Sequence, residues 1–177
     1  MQFAKDSFYM ALRDRLASLN PQRTVTVNGV SRPAVIVAEN EVVVPVEPLP
    51  DTFYIEWGAA QFVTEPRGSR ALLGMDCTIS HHTFGTVESG VDRGRTLAEL
   101  DMELSAICQP PKTAKQDFSQ TPSVDSGTNV FWTMPQLGAV SGSLGAKQET
   151  LPAKSQSTRL ERRAQLKVYF FSEGSSL

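Results

Sequence analysis

Few side chains in this sequence have the reach for chemistry. Cys77 and Cys108 are its two cysteines, and the adjacent pair His81 and His82 are its two histidines. Neither cysteine belongs to a CxxC pair with metal-ligand spacing, so both are expected as reduced thiols in the core. The histidines fall in a run that alternates as a strand does. Neighbours in a strand point to opposite faces and cannot chelate one ion. Asp76 and His82 share a strand face, but six residues of strand span about 20 Å, too far for a hydrogen-bonded acid–base pair. Gly142-Ser143-Leu144-Gly145 lacks the glycine two before the serine that a nucleophile elbow needs. Phosphate-binding loops, dinucleotide fingerprints and HExxH spacing are also missing from the sequence. Glu99 and Glu103 stand one helical turn apart, which reads as part of an exposed acidic face before it reads as a catalytic carboxylate pair. The expectation is a protein without catalytic residues, cofactor or metal.

Bulk composition narrows the class further. Hydrophobic residues are 40% and charged residues 20% of 177, a balance typical of a folded globular chain. Seventeen basic and nineteen acidic side chains give a net charge of −2, which argues against a broad electropositive surface and against direct sequence-specific nucleic-acid binding. No apolar run approaches the roughly 18 residues of a membrane span. Met1 to Leu12 include Lys5 and Asp6 in an amphipathic pattern unlike a secretory signal. A soluble, cytosolically made chain with one core, a single domain over 1–177, is expected.

The elements that would position these residues can be read from periodicity. Phe8, Leu12, Leu16 and Leu19 recur at helical spacing until Asn20-Pro21. Thr24 to Val27 alternates, Asn28-Gly29 has the two residue types of a type I′ turn, and Val30 starts a return strand. Ala34 to Ala38 is a continuous apolar run, expected near the sheet centre with both faces covered. Val42 to Val44, followed by Pro45, Pro48 and Pro50, reads as an edge strand or extended connection. Phe53, Ile55 and Trp57 alternate with polar neighbours, and the strand resumes at Gln61 to Val63, before a turn at Glu65 to Gly68. Leu73, Met75, Cys77 and Ile79 give the clearest alternation in the chain. Leu97, Leu100, Leu104, Ile107 and Cys108 predict a second helix over 92–109, ended by Pro110-Pro111. Residues 111–157 are polar and glycine-rich, with an apolar island from Val130 to Met134, and read as a long loop or hairpin insertion. Leu160 to Phe170 alternates as a final strand, with Arg162 falling among the apolar positions.

Together these predict an α+β fold, a two-layer mixed sheet with two helices packed on one face and a long polar insertion before the last strand. Strand 71–84, helix 92–109 and strand 159–171 could form a parallel crossover, which would be right-handed. Thr78, Ser80, Arg163 and Lys167 would then line the outer sheet face, towards solvent or another subunit.

The helix and short hairpin leading into Pro33 to Val37, the strand–helix pair from Leu73 to Cys108, and the closing strand with Val168-Tyr169-Phe170 follow one another in an order that resembles the tail terminator and tail completion proteins of long-tailed phages. The resemblance covers most of the chain outside 111–157. It implies a non-enzymatic subunit that forms a hexameric ring on the tail tube, stops its growth and meets the head–tail connector. Implied partners are therefore copies of itself, the tail tube protein and the connector protein, in the virion and, during assembly, the host cytoplasm.

Ring subunits join through complementary patches on opposite sides of a protomer. Glu99, Asp101 and Glu103 on the second helix, and Arg159, Arg163 and Lys167 on the last strand, are the interface residues expected on this basis. Phe131, Trp132 and Met134 are expected to dock on a partner or to extend the chain's own sheet. Competing readings are a small hydrolase or transferase using Asp76, His82 or Ser143, and a ligand-binding module with one apolar pocket.

Overall fold

The computed structural model describes residues 1–41, 48–63, 71–85, 90–142 and 159–172. The runs predicted at Val42 to Val44 and at the Glu65 to Gly68 turn lie outside them. Helix α1 (Gln2–Leu19) buries Ala4, Phe8, Leu12 and Leu16, one face at helical spacing. Leu19, expected to continue that stripe, stands 51% exposed, because the helix ends there on the bond from Asn20 N–H to the Leu16 carbonyl. Strands β1 (Thr24–Val27) and β2 (Val30–Pro33) form a separate antiparallel hairpin in which Val27 faces Val30. Its turn places Asn28 at φ 50° and Gly29 at φ 79°, the left-handed pair that a type I′ turn requires.

The main sheet is mixed and lies beneath the two long helices. Strand β3 (Val35–Val37), the single-turn helix α2 (Ala38–Glu41), β4 (Phe53–Phe62), β5 (Leu72–Thr83), α3 (Gly90–Ile107), β6 (Lys112–Asp117), β7 (Val124–Trp132), β8 (Gln136–Leu137), β9 (Ser141–Gly142) and β10 (Leu160–Phe171) follow in sequence. Across the sheet the order is β3-β4-β5-β10-β7-β6, with β8 and β9 also pairing β10. This is the α+β class that the periodicities predict.

Two expectations need correction. The apolar run at β3 is not central. It is the end strand, parallel to β4, and it is buried there because α1 and α2 pack against it. The expected parallel crossover is also absent. β5 and β10 are adjacent and antiparallel along their whole length, from Leu72 opposite Phe171 to Thr83 opposite Leu160. The chain leaving α3 passes through the β6–β7 hairpin before it reaches β10, so it enters the last strand from the opposite end.

One apolar face of this sheet meets both helices. Met75, Cys77 and Ile79 of β5, and Ala164, Leu166, Val168 and Phe170 of β10, join Leu12, Leu100 and Leu104 in one cluster. Phe8 sits between Trp57 and Trp132, with ring centroids 5.5 and 5.0 Å away in edge-to-face contact. Arg15 reaches from α1 to the carbonyls of Ile107, Pro110 and Lys112 at 2.8–2.9 Å, capping the end of α3 and the start of β6. The Ser7 hydroxyl accepts the Gln116 N–H at 2.9 Å. α1 thus covers the outer edge of β6, a row of backbone groups that is otherwise open to unwanted pairing.

Because Leu100 is fully buried at this helix–sheet contact, Leu100→Ala should cost about 2–5 kcal/mol. Urea denaturation followed by circular dichroism checks it, and an unchanged midpoint would show that the face is not core.

Candidate functional site

Three groups of residues carry the polar organisation of the molecule, the first of them buried. Asp101 points from α3 into the sheet and accepts two charge-assisted contacts, from His81 Nε2 on β5 to Oδ1 at 2.9 Å and from Arg162 Nη2 on β10 to Oδ2 at 3.0 Å. Arg162 Nη1 donates onward to the Gly138 carbonyl at 2.7 Å. The His81 ring packs edge-on to Phe53, and its Nδ1 has no hydrogen-bond partner among the described residues. Burial holds the His81 imidazole below its ordinary pKa, and this outweighs the opposing pull of Asp101. The cluster therefore works as a neutral histidine donating to a carboxylate that is itself paired with arginine.

This cluster corrects one sequence expectation. Asp101 is not part of an exposed acidic face; it is buried because His81 and Arg162 occupy both of its oxygens. The sequence carried a signal for it. Arg162 alternates in register with Ala164, Leu166 and Val168, and a charge on an apolar strand face calls for a buried counter-charge. Glu103 is also engaged within the chain. Arg23 holds it through Nε at 2.8 Å and Nη2 at 3.0 Å, and Asn20 Nδ2 donates to it at 2.7 Å. Of the three acids expected on that face, Glu99 is the one left exposed.

The second group lies on the sheet face away from the helices. Thr78 and Ser80 are half-buried there, opposite Gln165 and Arg163. Lys167 meets Asp76 at 3.3 Å across the β5–β10 pair. Arg159 and Arg163 both turn to Glu161, at 3.1 and 3.3 Å, yet the Arg163 side chain stays 69% exposed. Such exposed pairs stabilise little, by about 0–1 kcal/mol, so these charges are held loosely enough to meet a neighbour.

The third group is the strand edge beside β10. Of the aromatic island, Trp132 is buried, donating from Nε1 to the Cys108 carbonyl at 2.8 Å. It leaves the set of partner-docking residues because its ring completes the chain's own core against Phe8. Phe131 and Met134 are exposed, and Leu137 and Val140 continue the exposed apolar row. From Thr133 onward the chain follows β10 closely: Thr133 N–H donates to Lys167 O, Gly138 N–H to Arg163 O at 2.8 Å, and β8 and β9 complete the pairing. A side chain at position 138 would place its Cβ 2.9 Å from that Arg163 carbonyl, which makes glycine the fitting residue.

Other sequence-singled residues do not converge. Asp76 is spent on Lys167, His82 packs edge-on to Phe84, and Ser143 lies outside the described residues. Cys77 and Cys108 are buried free thiols; burial raises both pKa values, that of Cys108 to about 12, which leaves them protonated and unreactive. Among the described residues no group of three His, Cys, Asp or Glu side chains is arranged to hold a metal ion, and no helix is long and apolar enough to cross a membrane.

No protein-family model matches the sequence, and no curated protein matches it. Among solved structures, the chain is similar to a chain in the virion of the native gene transfer agent (GTA) particle, at 14% identity over 95% of this chain and 94% of that one, with a TM-score of 0.40.

The buried cluster generates two predictions. Since the folded-state pKa of His81 is lowered, the unfolded chain binds its proton first, so stability should fall as pH drops below about 6.5. Urea midpoints between pH 7.5 and 5 check this, and His81→Gln should flatten the profile. Arg162→Met should strand the Asp101 carboxylate and cost about 3–5 kcal/mol; recovery in the Arg162→Met, Asp101→Leu double variant would show that the loss came from the unpaired charge.

Proposed function

We propose that this chain is a non-enzymatic structural subunit of a phage-type virion, a tail terminator or neck component that assembles as a ring on the tail tube. Its partners in this reading are copies of itself, the tail tube protein and the head–tail connector protein. It works in the virion, after assembly in the host cytoplasm.

The observation that carries the reading is the asymmetry of the two layers. Both long helices lie on one side of the sheet, while the other face presents exposed Arg163 and partly exposed Lys167 beside half-buried Thr78 and Ser80. Different surfaces on opposite sides of a protomer suit a head-to-tail contact, and such contacts form a ring where the rotation closes. The element order, which resembles that of tail terminator and tail completion proteins, supports a role at the end of the tail tube. Glu99 on one side, with Arg159, Arg163 and Lys167 on the other, supplies opposite charges that can set the orientation of neighbours.

Sedimentation velocity of the purified protein should give one discrete oligomer, and electron microscopy should place it on tail-tube ends. Glu99→Lys should weaken the oligomer roughly tenfold, about 1.4 kcal/mol, with part of the loss restored by Arg163→Glu. A wild-type protein that stays monomeric at high concentration and ignores tail tubes would overturn the reading.

A further inference from the structure

The sheet treats its exposed edges unequally. The outer edge of β6 is covered by α1, through Ser7 and Arg15. Beside β10, the run from Gln136 to Gly142 has no described strand on its other side. Open edges are ordinarily blunted with charge, chiefly lysine. Here the opposite holds: from Ser126 to Gly142 the chain has no charged residue, and Met134, Leu137 and Val140 are exposed along it. An uncharged, apolar edge with no strand partner among the described residues is a liability unless another strand covers it in the working state.

The same chain offers a strand suited to that place. Among the described strands the β1–β2 hairpin pairs only with itself, so it has a strand edge left to offer. It carries no charge from Thr24 to Ser31, and Val30 is 63% exposed. Through Ala34 it runs straight into β3, the end strand on the far side of the sheet from β8 and β9. Donor and acceptor therefore lie at opposite sides of one protomer, the arrangement of a head-to-tail contact.

Charge complementarity flanks both. Arg23, at the root of the hairpin, is held by Glu103, and exposed Glu99 stands one turn earlier on α3. At the acceptor edge, Gly138 is bonded to the backbone of Arg163, whose side chain is 69% exposed. We infer that the β1–β2 hairpin of one copy adds as a strand to the Gln136–Gly142 edge of the next, with Glu99 of the donor facing Arg163 of the acceptor. The inference rests on the ring reading above and names the contact that builds the ring. Main-chain hydrogen bonds give such strand addition its affinity, and Val30, Leu137 and Val140 supply the apolar contact.

Two surface variants test it. Val30→Lys spoils the donor and Val140→Lys the acceptor, and both positions are exposed, so folding should persist by circular dichroism. Each variant alone should assemble at least tenfold more weakly than wild type in sedimentation velocity. Mixed together they should form a one-to-one dimer and nothing larger, because each retains one intact half of the contact. In the wild-type protein, amide exchange at 136–142 should slow on going from dilute monomer to oligomer. If wild type forms its oligomer while both variants assemble equally well, or if those amides exchange at one rate throughout, this contact is wrong and the ring reading stands. If Val140→Lys alone disrupts assembly, the edge pairs with its own copy instead, which also overturns the hairpin as occupant. A strictly monomeric wild type overturns both.

Discussion

The position of α3 depends on one carboxylate. Asp101 lies on the same helix as the buried Leu97, Leu100 and Leu104, so apolar packing draws a charge towards the core. That placement is tolerable only if both oxygens find donors, and the donors come from two different strands, His81 on β5 and Arg162 on β10. A slip of either strand by one residue would turn its donor to the other face. The ion cluster thus adds little net stability but ties helix position to strand register, and through Arg162 and Gly138 it extends to the edge run beside β10.

Much of the fold was legible because single elements declare themselves. α1, the β1–β2 hairpin, β4, β5, α3 and β10 each show a period or a turn signal within their own residues. What the sequence hid was relational. A continuous apolar run at Val35 to Val37 reports burial on both faces but not which elements provide it, and here helices rather than neighbouring strands cover an end strand. The direction of β10 relative to β5 depends on β6 and β7, and those strands carry few apolar residues, with buried Lys115 satisfied by the Phe171 carbonyl at 2.8 Å.

The candidate surfaces were legible in the same partial way. Charge alternation placed Glu99, Arg163 and Lys167 correctly on the surface, but it could not separate them from Asp101 and Glu103, whose partners lie far away in sequence. Aromatic content marked the Val130 to Met134 island without distinguishing Trp132, which locks into the core, from Phe131 and Met134. The open edge from Gln136 to Gly142 left a trace of another kind, a long stretch without charge, whose meaning depends on knowing that no described strand lies beyond it.

The pairing of β5 with β10 has a kinetic consequence. Leu72 must find Phe171 and Thr83 must find Leu160, so the two longest neighbouring strands of the sheet meet across about half the length of the chain. Closing so large a loop costs entropy before any contact repays it, which makes this pairing a slow step relative to the local hairpins. Until β10 arrives, β5 exposes an unpaired edge and the apolar face beneath α3 is incomplete. Newly made chains are therefore most prone to mispair during that interval, when the strand that completes the sheet has yet to be added.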